Sequence, residues 1–282
     1  MKRLINKIYS HKKIAVYGVG LLASLTAVEA SIAVTLNNGG TDEAAFLTNN
    51  NITKIGELEG IVGGVSKEFF FGDNGSSTGQ PQDSADFTWS DATQYNWTLT
   101  WNTTTNVAQF SADTLANPIQ FDFDEGGFAD PTLDKFNAFG LITKVDGRDS
   151  DSIESGTTMT LNVDQIEFSN GDVISDLSTV GDDSVSSTTT SGNQVFDKQF
   201  YVLSDTDRAN GVEITEMTGT FSLDWGTFNP QTRNANARAT FELKLFDPPA
   251  DGASPESTPE PASIISLLML GAFGLRSCSK KG

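Results

Sequence analysis

The chain has 282 residues, long enough for one large or two small domains, and its 37 acidic and 18 basic residues give a formal net charge of −19. Its single histidine, His11, and single cysteine, Cys278, lie near the two ends, so the region between them offers no imidazole base, thiol nucleophile, Cys/His zinc site or disulfide. Between Ser31 and Pro261 there are 10 basic and 36 acidic residues, a balance that repels the phosphates of nucleic acid and excludes it as a partner.

The first 30 residues have the three parts of a secretory signal peptide. A basic segment, Met1–Lys13, precedes an apolar run of about 15 residues that starts at Ile14. The small residues that follow predict cleavage by signal peptidase after Ala30, with Ala33 as the alternative. Because a bilayer span needs about 20 residues, the length of the run favours a cleaved signal over a retained anchor.

The body, residues 31–246, is predicted to be rich in β-strands. Tyr95–Trp101 alternates apolar and polar residues, and Met159–Phe168 alternates again before a turn at Ser169–Asp172. We therefore predict an all-β fold, an antiparallel β-sandwich of jelly-roll or immunoglobulin-like topology, flanked by an N-terminal signal helix and a short C-terminal membrane helix. The Ser/Thr/Asp-rich stretch 175–193 is predicted to be a long surface loop.

One strand of the body carries a row of aromatic residues. Trp97 and Trp101 lie four residues apart on one strand face, about 13 Å from each other, a spacing that could serve a glycan-binding strip. Leu99 lies on the same face, which favours the hydrophobic core instead. Exposure of the two tryptophans would support a glycan-binding module, and their burial would count against it.

Carboxylates are the only plentiful acid/base groups in the body. Asp122, Asp124 and Glu125 are close in sequence, and a pair of carboxylates can hydrolyse a glycosidic bond. The Glu-x-Asp-x-x-Glu strand that is typical of sandwich glycosidases is missing from the sequence. We therefore predict that the protein is not an enzyme and has no catalytic residues.

Two segments of the body gather hard oxygen ligands of the kind that Ca²⁺ prefers. In the second segment Ala209 stands where the EF-hand pattern requires a ligand, so the match to that pattern is incomplete. We predict no cofactor, and the alternative is weak Ca²⁺ binding at one of two groups, Asp146, Asp149 and Asp151 or Asp205, Asp207 and Asn210.

The C-terminus combines a linker, a short motif and an apolar run. Residues 247–258 are rich in Pro, Ser and acidic residues and are predicted to be a linker. The motif Pro259-Glu260-Pro261 follows, and then the apolar run Ile264–Leu275, which predicts a short membrane helix. Basic residues close the chain and would stop the helix on the cytoplasmic side; they are Arg276, Lys280 and Lys281.

Behind a signal peptide, this order of motif, apolar run and basic end resembles the PEP-CTERM sorting domain, and the start Pro-Glu-Pro-Ala-Ser resembles its cyanobacterial version. The resemblance covers residues 259–282 and implies that an exosortase, a membrane transpeptidase, recognises Pro259, Glu260 and Pro261. The apolar run would be a temporary membrane anchor, and the body would then be released or transferred to another anchor. The run is short for such an anchor, about 12 to 14 residues or roughly 20 Å of helix.

Two segments of the body resemble the choice-of-anchor W domain that occurs upstream of such tails. They are the Trp-Thr-Leu-Thr-Trp strand, 97–101, and the Gly/Phe-rich segment 63–72. The two ends together predict export through the inner membrane and a location at the cell surface or outside the cell. The expected function is a non-enzymatic structural or adhesive role, with extracellular polysaccharide as a partner. A glycan-binding module is the alternative, and a carboxylate glycosidase is the second alternative.

Overall fold

The structure, a computed structural model, describes residues 33–50, 52–62, 68–72, 82–123, 135–146, 156–189, 193–225 and 239–247. Two α-helices, α1 Glu43–Asn50 and α2 Asp205–Ala209, and a 3₁₀ helix at Leu177–Thr179 accompany the strands. The strands in the described ranges are β1 Leu36–Gly40, β2 Thr53–Val62, β3 Phe69–Gly72, β4 Gln82–Ala85, β5 Thr93–Asn102, β6 Val107–Ala112, β7 Ile119–Asp122, β8 Ala138–Asp146, β9 Thr158–Phe168, β10 Val173–Ile174, β11 Ser184–Thr188, β12 Gln194–Leu203, β13 Ile214–Asp224 and β14 Ala239–Asp247.

The strands form two antiparallel sheets that face each other. Sheet A has the order β1-β12-β8-β14-β2-β3-β4, and sheet B has the order β10-β9-β13-β5-β6-β7, with β11 beside β10 along the same edge of β9. Side chains from both sheets meet in one hydrophobic core. The predicted all-β antiparallel sandwich is therefore confirmed.

The pairing of eight strands selects the topology. β2 pairs with β14, β5 with β13, β8 with β12, and β9 with β11. The first of these eight strands thus pairs with the last, the second with the seventh, the third with the sixth, and the fourth with the fifth. Successive pairs alternate between sheet A and sheet B. This nested arrangement is that of a jelly roll, so the immunoglobulin-like alternative is not adopted.

The core between the sheets is dominated by aromatic side chains. Strand β5 places every second residue inward, as its alternating pattern predicts. Phe69 on β3 is fully buried and has five ring neighbours within 6.0 Å between centroids. Those neighbours come from both sheets and from the segment that precedes β5, and they are Phe87, Trp89, Phe110, Phe221 and Phe241. Such packed rings contribute large apolar areas together with favourable ring geometry.

The polar stretch 175–193, predicted to be a surface loop, contains strand β11. Val185 and Ser187 of this strand are buried, and the Ser187 hydroxyl lies 2.9 Å from the Thr143 hydroxyl of β8 in the opposite sheet. The loop prediction was wrong because the hydroxyls of Ser187 and Thr143 hydrogen-bond to each other, which allows both polar side chains to be buried inside the sandwich. A Ser/Thr-rich strand has no apolar alternation by which sequence reasoning could recognise it.

Helix α1 packs against the outer face of sheet A, which is the face turned away from the core. Its Phe46 is buried, and the ring stacks on Phe200 with a centroid separation of 4.9 Å and meets Phe246 edge-on. Gly140 on β8 makes room for this packing, since a Cβ there would lie 2.5 Å from the Phe200 ring. The helix therefore closes a second, smaller hydrophobic cluster on the outside of the sandwich.

None of the helices in the described ranges is long and apolar enough to cross a membrane. The predicted signal helix and the predicted C-terminal membrane helix both lie outside those ranges.

Candidate functional site

The predicted processing sites lie at the margins of the described chain. Ala30 and the motif 259–261 fall outside it, whereas Ala33 is described and is exposed. Val34 is the first of the described residues that packs into the core, and its N–H donates to Asp172 over 3.2 Å. Cleavage after either predicted alanine would therefore remove none of the core residues that the structure describes.

The two tryptophans of β5 belong to the core. Trp97 and Trp101 are 3% and 4% exposed. The Trp97 indole N–H donates to the backbone oxygen of Asn162, and the Trp101 ring packs against Phe123 and Phe136. The core interpretation is confirmed, and this strand supplies no aromatic strip at the surface.

The second predicted Ca²⁺ group is built into helix α2. Asp207 accepts hydrogen bonds from the Thr35 N–H at 2.9 Å and from the Ser204 hydroxyl at 2.6 Å, which ties the start of the helix to the N-terminal segment. Asp205 forms an ion pair with the helix's own arginine, and Asn210 is the residue that caps its C-terminal end. The two carboxylates are thus engaged in contacts that hold the helix in place, and Asn210 takes part through its backbone N–H.

The first predicted Ca²⁺ group is described only at Asp146, since Asp149 and Asp151 lie outside the described residues. Asp146 is buried at the end of β8 and accepts a hydrogen bond of 2.9 Å from the Gln194 amide. Over the ranges that the structure describes, no group of three or more acidic, histidine or cysteine side chains is arranged to hold a metal ion.

The glycosidase alternative depended on carboxylates near the end of β7. Asp122 is the last residue of that strand and is half-buried, whereas Asp124 and Glu125 lie outside the described residues. The structure therefore shows one of the three carboxylates and no distance between them.

A row of glutamates on the outer face of sheet A was not predicted. We define the glutamate row as Glu57 and Glu59 on β2 and Glu242 on β14. Glu242 lies directly opposite Glu59 in the strand register, and Lys244 lies opposite Glu57. Like charges in opposed positions destabilise a sheet, so this arrangement acts against the stability of the sandwich when both carboxyls are ionised.

Glu242 of the glutamate row has a pKa that is raised toward neutral pH. Burial first, and then the charge of Glu57, raise the pKa of Glu242 to about 7, while Lys244 acts in the opposite direction. The charges of Glu59 and Glu43 add to the rise. A carboxyl of this kind is chemically able to exchange a proton at physiological pH.

Glu43 at the start of α1 links the helix to two strands of sheet A. Its carboxylate lies 2.6 Å from the Lys244 ammonium and 3.3 Å from the Lys198 ammonium. Burial alone would raise the pKa of Glu43, but the hydrogen bond and charge of Lys244, followed by those of Lys198, hold it below its ordinary value. The ion pairs thus attach α1 to β14 and β12.

An exposed aromatic ring lies on the same outer face. We define the Phe196 patch as Phe196 and Lys198 on β12 together with Lys144, the residue opposite Phe196 on β8. The Phe196 side chain is 48% exposed, and the Lys144 and Lys198 ammonium groups lie 5.7 and 5.6 Å from its ring centroid. Both distances are within the range of a cation–π interaction.

A shallow hollow adjoins the Phe196 patch where α1 meets β12. Its volume is about 700 Å³. We define the α1 hollow by its lining residues, which are Thr41, Asp42, Glu43, Ala44, Leu47 and Lys198. Because Lys198 belongs to both, the hollow and the Phe196 patch form one continuous surface.

A second carboxyl with a raised pKa lies beside the aromatic core. Burial raises the pKa of Glu68 to about 7, with a hydrogen bond to Trp89 acting against the rise and the charge of Asp86 adding to it. One oxygen of this carboxyl is buried without a hydrogen-bond partner. Glu68 is held just ahead of β3 by backbone hydrogen bonds to Ile61 and Ala85.

Sequence reasoning missed the outer face of sheet A, although a signal for it was present. Glu57 and Glu59, like Glu242 and Lys244, occupy every second position of strands whose other positions are mainly apolar. Such alternation predicts one charged face per strand, but not which strands become neighbours.

The fold and this surface define an acidic jelly-roll sandwich with ionisable groups gathered on one outer sheet face. Neither a known protein family nor a curated protein sequence matches the chain.

Proposed function

We propose that the chain is an exported β-sandwich protein of the cell surface or extracellular matrix, with a structural or adhesive rather than an enzymatic role. A signal peptidase would remove the leader, and an exosortase-like transpeptidase would act at the C-terminal motif. The observation that carries the proposal is the order at the C-terminus, where Pro259-Glu260-Pro261 directly precedes an apolar run and a basic end.

The composition of the body supports the non-enzymatic part of the proposal. The body has neither histidine nor cysteine, so thiol nucleophiles, imidazole general bases and a Ser-His-Asp triad cannot be built in it. In α2, two of the carboxylates that were candidates for a ligand site are instead engaged in an ion pair, at Asp205, and in a hydrogen bond from the Thr35 N–H, at Asp207.

The sorting motif can be tested with a matched pair of variants in the native host. The double variant Pro259→Ala/Glu260→Ala alters the motif, and Pro255→Ala/Glu256→Ala alters a second Pro-Glu pair only four residues earlier in the linker. Intact-mass spectrometry of the exported protein measures both mature termini.

We expect the native chain and the linker variant to begin after Ala30 or Ala33 and to lack the apolar run 264–275. The motif variant should retain that run and remain in the membrane fraction. Normal processing of the motif variant would overturn the sorting part of the proposal, and retention of residues 1–30 in the native chain would overturn cleavage of the leader.

A further inference from the structure

The Phe196 patch combines features that distinguish it from an ordinary surface position. Isolated exposed apolar side chains are common on proteins and need no functional explanation. Phe196, however, is the one exposed aromatic ring among the described residues, whose other rings are buried or half-buried. It also has two lysine ammonium groups within 6 Å of its centroid.

Lys144 gives the patch a charge that is available to a ligand. Within the described chain its ammonium forms no ion pair, and its one recorded interaction is with the Phe196 ring. Lys198, in contrast, is already paired with Glu43. In a chain with 37 acidic and 18 basic residues, an ammonium group without a carboxylate partner is available for an external anion.

The α1 hollow adds groups of a different chemistry. Thr41, which has a hydroxyl, and Asp42 are among its lining residues, and one oxygen of the Asp42 carboxylate accepts a hydrogen bond from the Ala45 N–H at 3.1 Å. Hydroxyl and carboxylate groups of this kind bind the hydroxyls of a sugar. The continuous surface therefore offers an apolar ring, a cation and acceptors for hydroxyl groups.

We propose that the Phe196 patch and the α1 hollow together bind a polysaccharide that carries carboxylate groups. The apolar face of one sugar unit packs on Phe196, its carboxylate pairs with Lys144, and hydroxyls of the next unit reach Thr41 and Asp42. Asp42 and Glu43 repel the ligand carboxylate and so fix which end of the surface it occupies. The proposal rests on the proposed function, because an exported protein meets such a polymer outside the cell.

The negative charge of the body opposes this binding, and the repulsion weakens as the ionic strength rises. At physiological salt the Debye length is about 8 Å, so distant carboxylates are screened while the contact with Lys144 persists.

Affinity electrophoresis of the full chain, purified in mild detergent, tests the proposal. Gels at physiological salt contain polygalacturonate as the acidic polysaccharide, dextran as the neutral one, or polyglutamate as an acidic polypeptide. The test variants are Phe196→Thr, which keeps a β-forming residue in the strand, and Lys144→Gln. The matched controls are Val173→Thr, which removes the other large exposed apolar side chain of the described residues, and Lys135→Gln, which removes a lysine outside the patch.

We expect polygalacturonate alone to retard the native chain, and each test variant to weaken this binding by about fivefold or more. The two controls should bind as the native chain does. Equal binding of Lys144→Gln and the native chain, or equal retardation by dextran or polyglutamate, would overturn the proposal. Thermal melting of each variant identifies any loss of binding that is caused by unfolding, and Lys144→Gln then carries the test because it keeps a polar side chain at this half-buried position.

The outcome is separable from that of the proposed function. Processing at the termini is measured by mass and binding by electrophoresis, on different residues. Normal processing without polygalacturonate binding would remove this inference and leave the export proposal in place. Polygalacturonate binding without normal processing would remove the export proposal and leave the binding surface in place.

Discussion

The interior of the sandwich and the outer face of sheet A differ in the kind of side chain that they hold and in what those side chains contribute to stability. The interior is lined by closely packed rings, with Phe69 surrounded by five others. On the outer face, strands β2 and β14 bring Glu59 directly opposite Glu242 and surround them with lysines and further glutamates. The interior contributes stability, whereas the outer face includes opposed carboxylates, Glu59 and Glu242, in positions that reduce it.

The contrast shows where this protein has room for function. Buried apolar packing accounts fully for the rings of the interior. Opposed carboxylates reduce the stability of the sheet and a half-exposed ring adds little to it, so the outer face is where we look for residues that serve a function rather than stability.

The largest expected effect comes from opening a cavity in the interior. Phe69→Ala should lower the free energy of unfolding by about 3 to 5 kcal/mol, because the truncation leaves a cavity and five rings lose their contact with Phe69. Chemical denaturation monitored by tryptophan fluorescence measures the change.

Phe196→Ala is the matched control on the outer face. Its ring is 48% exposed, so the same truncation should cost about 1 kcal/mol or less. Equal losses in the two variants would contradict the distinction between the interior and the outer face.

A smaller effect, which depends on pH, is expected in the glutamate row. The pKa of Glu242 is higher in the folded state, about 7 against an ordinary 4.5, so the folded state holds this proton to higher pH than the unfolded state does. Stability is therefore full below about pH 4.5 and falls as the pH rises toward 7. Glu242→Gln should stabilise the protein by up to about 3 kcal/mol near pH 8 and change little near pH 4.5.

Urea denaturation at the two pH values measures this difference. Glu216→Gln on β13 of sheet B is the control, because Glu216 is half-buried and its carboxylate has no ion pair or hydrogen bond with the rest of the described chain. If both variants responded alike at the two pH values, the link between Glu242 and the pH dependence would be lost.

The smallest expected effect concerns the attachment of α1 to the outer face. Glu43→Gln removes the ion pairs with Lys244 and Lys198 and should lower stability by about 1 kcal/mol at low salt. The loss should shrink in concentrated salt, because screening weakens the native ion pairs. Thermal melting of the native chain and the variant at two salt concentrations tests this, and a loss independent of salt would assign the effect to helix packing.

The sequence predicted the interior far better than the outer face. Alternation in Tyr95–Trp101 identified a strand and its buried side, because burial of large apolar side chains depends on a local period of two. The glutamate row depends on β2 lying beside β14, two strands separated by most of the body. The sequence of either strand alone does not indicate which distant strand it pairs with.

Strand β11 is a second case, inside the fold, in which a contact with a distant segment decides whether a residue is buried. Its Ser187 is buried because Thr143, 44 residues earlier, supplies a hydrogen-bond partner across the sandwich. Polar composition alone predicted exposure, and only the partner reverses that expectation.

The sequence by itself determined the class of fold, the buried face of its clearest strands, and the absence of histidine and cysteine from the body. These properties follow from composition and from a local period of two. The tertiary structure decided the jelly-roll pairing, the burial of β11, and the surface where Phe196, Lys144 and the α1 hollow meet. These depend on which distant strands become neighbours, and that choice is made by the packing of the whole core rather than by any single segment.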